Sequence, residues 1–237
     1  MSQRQNKSEE AGSRESERRR TILRAAIDVF ARKGYHGCRI ADVAREAGVA
    51  YGLVYHYFKN KDELLETVVE TGWSGFVSRL RAVSEDENAT LEQKVHGIAD
   101  VAFEAYRVDP RAVKVLILEV ARSPAGTQIV SRQQAFLDTI RMAADMFRLA
   151  QERGELRADL DPMLSASLLF GAIEMGLTAF VSGLVEDRSP EALERAKVQI
   201  AESFLRGVLP GAATSTEVSW RQQEKSSGTR SKAGKRS

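Results

Sequence analysis

Cysteine is nearly absent: one residue, Cys38, in 237, which excludes an internal disulfide framework. The opening stretch MSQRQNKSEEAGSRESERRR has no apolar run of the signal-peptide kind, so the expected compartment is the reducing cytoplasm. Strand-type alternation with hairpin turns is also missing, and the punctuation is that of helix caps. No nucleophile elbow, phosphate-cradling loop or His/Cys/Asp cluster with metal-ligand spacing stands out, so neither cofactor nor metal is expected. Aromatic residues are scarce at 7%. Three of the five tyrosines and one of the three histidines nevertheless crowd into residues 51–61, YGLVYHYFKNK.

With 43% hydrophobic and 29% charged residues, the rest is ordinary for a soluble globular protein large enough to bury a full core. Its net charge of +2 is unevenly spread. Residues 1–60 hold 12 Lys/Arg against 7 Asp/Glu and residues 215–237 hold 6 against 2, which leaves −7 for the middle. Basic ends on an acidic body suit a nucleic-acid-binding head, because Lys/Arg neutralisation of phosphates supplies most non-specific affinity. Solvated tails account for the charge equally well.

Residues 1–13 and 211–237 are polar with little to bury and are expected to be disordered. Between them the pattern is all-α, with nine helices. The first runs from about Glu15 to Lys33, with Ile22, Leu23, Ala26, Ile27, Val29 and Phe30 as its apolar stripe and Gly34 to end it. Two short helices follow near 40–46 and 52–58. Asn60 and Glu63 resemble a capping box that opens a fourth helix reaching about Leu80. Further helices are expected at about 91–107 and 111–122. Ser123-Pro124, Asp161-Pro162 and Ser189-Pro190 then begin three more, ending near Gly154, Val185 and Leu209.

Residues 163–185, MLSASLLFGAIEMGLTAFVSGLV, are long enough to raise the question of a membrane span. Glu174 lies near the midpoint, and a charge at mid-bilayer costs roughly 2.5 to 3.5 kcal/mol for Asp, Lys or Arg. A helix apolar on most sides is also what a water-soluble helix becomes when neighbours or a second subunit surround it. The expectation is a buried helix and no membrane.

Residues 40–58 read IADVAREAGVAYGLVYHYF. Ile40, Val43, Ala44 and Ala47 make one face of a two-turn helix, Gly48 can take the left-handed backbone of a sharp turn, and Val49 can plug the corner. Val54 and Phe58, four apart, form the inward edge of the next helix. This is the grammar of a helix-turn-helix, whose second helix enters the DNA major groove. At about 100° per residue, Gly52, Tyr55, His56 and Lys59 then face outward, with Tyr51 at the leading edge and Tyr57 at the flank. Gly52 removes a side chain that would hold the backbone off DNA, and Lys61 at a helix start offers a phosphate anchor.

The stretch ILRAAIDVFARKGYHGCRIADVAREAGVAYGLVYHYFKNKDELLETV resembles the TetR/AcrR family of transcriptional regulators, with the Ala-Gly-Val turn, the aromatic run and KNKDELL in order. The resemblance implies a DNA-binding domain at 14–60 and an effector-binding and dimerisation domain at 61–210. Operator DNA contacts would fall on Arg39, Ala50, Tyr51, Gly52, Tyr55, His56, Tyr57 and Lys61. Members often carry Ser or Thr at the positions of Cys38 and Arg39 and a polar residue at that of Tyr51. Arg39 is the candidate to bind phosphate in their place, and Tyr51 the candidate to pack on a thymine methyl. The last two helices would pair with a second subunit, giving a homodimer.

The same resemblance places an effector pocket among the fourth to seventh helices, where Trp73, Phe76, Phe103, Tyr106 and Phe136 are the candidate ligand contacts. Within the family, the helix-turn-helix is most like that of acyl-CoA-responsive repressors of fatty-acid degradation. A small hydrophobic effector follows, with fatty acyl-CoA as one candidate. Two other classes stay open. An enzyme acting on a hydrophobic substrate would rest on Glu174 as a general base, and a helical scaffold would use the helix-turn-helix to bind protein.

Overall fold

The structure, a computed structural model, describes the backbone of residues 2–117 and 129–211 and the side chains of residues 12–117 and 136–211. Acceptor side chains set where the helices begin. The Asn60 amide oxygen accepts the Glu63 N–H at 2.8 Å to open α4 (Lys61–Ser84), while the Glu63 carboxylate reaches back to the N–H of Lys59, one residue before the cap. Thr90 and Gln93 exchange hydrogen bonds at the head of α5 (Leu91–Val108). Asp109, Asp161 and Ser189 each stand before a proline and cap α6 (Pro110–Val115), α8 (Pro162–Ser182) and α9 (Pro190–Val208). Each cap satisfies donors that the first turn cannot pair, at about 1 kcal/mol apiece. α7 is Ile129–Glu152 and is followed by Gly154 at φ 75°. The expected start of that helix at Ser123-Pro124, the end of the helix expected at 111–122 and the tail at 212–237 lie outside the described residues.

The first helix departs from expectation. α1 spans Ser2–Gly37, so the segment read as disordered from 1 to 13 is helical from Ser2. Gln, Lys, Glu, Ser and Arg in that segment include strong helix formers, and propensity extends a helix whose anchor is elsewhere. Among the described side chains the first buried one is Ile22. The helix breaks at Gly34 (φ 70°, ψ 164°), as its glycine implies, and one further turn reaches Gly37.

With α2 (Ile40–Glu46) and α3 (Tyr51–Tyr57), the described residues form nine helices and no strand, an all-α architecture. They bury two apolar cores. One unites Ile22, Val29, Phe30, Val43, Val54 and Phe58 with Leu64, Leu65, Val68 and Val69 from the start of α4. The other runs through α4, α5, α7, α8 and α9 around Val95, Ile98, Phe147 and Leu169. The short α6 belongs to both: Val113 lies in the body core and Val115, 1% exposed, in the head core. Arg111 adds an ion pair to Asp28 of α1 at 2.6 Å. At Gly176 of α8 a Cβ would stand 2.6 Å from the Ile200 Cδ1 of α9 and 3.6 Å from the Phe103 ring of α5, so an added methyl there would require the end of the Ile200 side chain to move.

Candidate nucleic-acid interface

Gly48 takes φ 66° and lets the chain turn between α2 and α3. The N–H of Val49 bonds the Ala44 carbonyl at 3.0 Å, and its half-buried side chain packs on the head core, filling the corner. Ala50 caps α3 with extended backbone (φ −63°, ψ 141°) and contributes no side-chain acceptor. Val54 and Phe58 are 0% and 1% exposed, which fixes the rotation of α3 about its axis.

The outward face is then the expected one. Tyr51 and Tyr55 are 54% and 44% exposed; Ala50, Gly52 and His56 are exposed, and Tyr57 is half-buried against the head core. A Cβ on Gly52 would meet nothing within 4 Å of its own chain, so the surface there is open to an approaching partner. Tyr51 and Tyr55, one turn apart, stack edge to face at 5.1 Å with their hydroxyls 3.2 Å apart. That hydrogen bond, with some desolvation, pushes the Tyr55 phenol above its ordinary value and keeps it a neutral donor. Phenols and an imidazole on one exposed helix face can donate to phosphate oxygens and base-edge acceptors.

Arg39 is the exposed N-cap of α2, and its backbone N–H donates to the Asp42 carboxylate at 3.1 Å. Asp42 also binds the Lys33 ammonium at 2.8 Å and the Arg45 guanidinium at 2.6 Å. The hydrogen bond from Lys33, then that from the Arg39 N–H, holds the Asp42 carboxyl below the usual carboxylate range. Asp42, at the third position of α2, thus supplies the carboxylate half of a capping box by accepting the N–H of the cap residue itself, and it occupies two neighbouring cations.

Lys61 is placed differently from the other candidates. Its half-buried ammonium donates to the carbonyls of Tyr35 and Cys38 at 2.8 and 3.0 Å and sits 4.1 Å from the Tyr35 ring. Two of its three donors therefore close the turn after α1, and it ties α4 to that turn before it can serve as an anchor for phosphate.

The candidate effector residues fall into two groups. Trp73, Phe76 and Phe136 make one aromatic cluster, with ring centroids 5.5 and 6.3 Å apart, and the buried Trp73 indole N–H has no hydrogen-bond partner among the described residues. Phe103 and Tyr106 instead contact Phe180 in the body core, at 3% and 4% exposure. Glu174, the candidate base, is exposed on α8 rather than enclosed in an apolar site.

Two features escaped the sequence. α6 joins the two cores through Val113 and Val115, contacts between distant segments that no local pattern marks. The other corrects the expectation that no metal-spaced cluster exists: Glu92 and His96 of α5 meet Glu202 of α9, with ligand atoms all within 4.8 Å of one another. Glu92 and His96 are four residues apart on one helix face, but their third member is over a hundred residues away.

Residues 22–68 match the sequence profile described as bacterial regulatory proteins, tetR family. The fatty acid metabolism regulator protein of Bacillus subtilis is 29% identical over 167 residues, covering 68% of this chain and 81% of that protein. The Bacillus subtilis regulator FadR, solved in complex with stearoyl-CoA, superposes with a TM-score of 0.67 at 24% identity over 79% of this chain and 97% of that one. SmeT, whose complex with triclosan is known, superposes at 0.63 with 27% identity, covering 83% and 94% of the two chains. The named SmeT repressor is from Stenotrophomonas maltophilia. Residues 22–68 thus match the DNA-binding domain of the tetR family of bacterial regulatory proteins, and the fold of the described residues is that of such regulators.

Proposed function

We propose that the protein is a homodimeric repressor whose two α3 helices read a palindromic operator through Tyr51, Gly52, Tyr55 and His56, and which a hydrophobic small molecule releases. The observation that carries this reading is the outward face of α3. Aromatic donors surround an open glycine there, fixed in place by the burial of Val54 and Phe58. Ala50 and Tyr57 flank that face, Arg39 supplies a charge beside it, and Lys61 contributes by holding the turn that supports it. The site of action is the cytoplasm, where the operator lies. No catalytic role is assigned to Glu174.

Release follows from α6. A ligand that shifts the body helices moves Val113, and with it Val115 in the head core, so the two α3 helices lose their match to successive major grooves about 34 Å apart. The ligand must favour the released arrangement by its differential affinity. The kinship with a fatty acid metabolism regulator supports a fatty acyl-CoA as the leading candidate. The unpartnered Trp73 indole N–H beside Phe76 and Phe136 supports an apolar ligand with an acceptor group, with Phe103 and Tyr106 shaping the pocket wall from the core.

A gel shift of the region upstream of the protein's own gene, titrated with salt, tests the DNA half. Sequence-specific retardation is expected, removed by Tyr55→Ala in a protein that remains folded and dimeric. Retardation that ignores sequence, or survives Tyr55→Ala unchanged, would overturn it. A thermal-shift panel of acyl-CoAs and hydrophobic drugs tests the other half. A stabilising compound should also release the DNA.

A further inference from the structure

We propose that Glu92, His96 and Glu202 form a binding site for a divalent first-row transition-metal ion that joins α5 to α9. This goes beyond the regulator reading and does not depend on it. Glu92 and His96 lie one helical turn apart and project from one side of α5. Glu202 enters from α9, with its Oε1 3.2 Å from the His96 Nε2. The three ligand atoms lie within 4.8 Å of one another. Donors about 2.0–2.2 Å from a single ion are themselves about 3–4 Å apart, so modest side-chain rotation closes the set.

Charge favours an ion at this point. Two lysines of these helices are engaged elsewhere: the Lys94 ammonium donates to the Ser84 carbonyl at 2.9 Å, and Lys197 binds Asp100 and Glu194 at 2.5 Å each. Two carboxylates so close together repel each other unless a cation or a protonated imidazole lies between them. The ligand set of one imidazole nitrogen and two carboxylate oxygens suits Zn²⁺, Mn²⁺ or Fe²⁺ and leaves positions for water. His96 is 30% and Glu202 41% exposed at the side chain, so an ion can enter from solvent. Bound there, it fastens a body helix to α9 and stabilises the native arrangement by mass action.

The test uses full-length protein without an affinity tag, stripped with EDTA and dialysed, with Zn²⁺ as the probe. Calorimetric titration should show saturable binding of one ion per chain, together with a rise in Tm that EDTA reverses. Replacing a ligand should weaken binding by at least about tenfold in His96→Gln and Glu202→Gln. The exposed Glu92→Gln leaves the His96–Glu202 hydrogen bond intact and should weaken it likewise. His56→Gln, in the DNA-binding head, should bind Zn²⁺ as the parent does. Absence of saturable binding in the parent, or parent-like affinity in Glu92→Gln and His96→Gln, overturns the proposal.

Discussion

On the proposed reading of α3, Gly52 sits where helix stability and DNA approach make opposite demands. In the first turn of α3 a glycine gives up as much as about 1 kcal/mol of helix propensity relative to alanine, and a Cβ there would touch nothing in its own chain. Gly52→Ala should therefore raise the Tm slightly while lowering operator affinity, because the added methyl stands between backbone and groove. Equal or tighter DNA binding by a stabilised Gly52→Ala would show that α3 does not approach DNA by this face. Asp42 makes a demand of another kind. Its carboxyl is held below the usual range by Lys33 and the Arg39 N–H, so its contribution to folding is complete above the unfolded carboxylate value and disappears as pH falls through the lower native one. Melting profiles on the acid side should accordingly be flatter for Asp42→Asn than for the parent, with both converging at the lowest pH. Parallel profiles would mean that the Lys33 and Arg45 bridges contribute nothing to the head. Cys38 needs no such test at neutral pH, since burial raises its thiol and keeps it inert.

Among the elements, α6 is the smallest and has the widest reach. Val115 is fully packed among the head helices while Val113, two residues earlier, packs in the body. Truncation by Val115→Ala should cost about 2 kcal/mol through lost burial and an unfilled space. It should also weaken the coupling between effector and DNA, read as a smaller ratio of operator affinities without and with ligand. The surface pair Arg111–Asp28, with 62% and 28% side-chain exposure, is worth less than about 1 kcal/mol, and Arg111→Ala should leave the Tm nearly unchanged. A Val115→Ala protein with parental coupling would remove α6 as the link. The contrast also marks what a sequence can carry. Caps and turns were legible in it where Asn60, Asp161, Ser189 and Gly48 act on neighbours within four residues; the caps at Thr90 and Asp109 act as locally but were not read. The inward pair Val54 and Phe58 was legible for the same reason, and with it the outward face of α3. The two-core role of α6, the occupation of Lys61 by the Tyr35 and Cys38 carbonyls, and the meeting of His96 with Glu202 depend on contacts across tens of residues, which periodicity does not encode. The helical segment before Glu15 was missed for a third reason: its polar composition was read as disorder, although several of its residue types favour helix.

At the scale of the whole molecule, the face of α8 turned from the body is what a single chain leaves unfinished. α8 is the one helix among the described residues long and apolar enough to cross a membrane, yet only 39% of its apolar window is buried within the chain. Met163, Leu164, Leu168 and Met175 remain exposed. Leu164, Leu168 and Met175 recur at helical spacing, and between the last two lies Gly171, where a Cβ would meet nothing. An exposed apolar stripe of this kind, with a small residue at its middle, fits a second helix at close range. On the homodimer proposed above, that helix is α8 of the second subunit. Two heads on one dimer also change the binding arithmetic: once one α3 is in its groove the other searches a small volume, and linkage of this sort raises affinity by about 10² to 10⁴ over one head alone. Leu168→Glu places a charge in the stripe and leaves the cores of the chain untouched. It should yield a folded monomer by light scattering and circular dichroism, with operator binding weakened toward that of a single half-site and unaltered preference among half-site sequences. If Leu168→Glu remains dimeric at the parental mass, the α8 stripe is not the subunit contact.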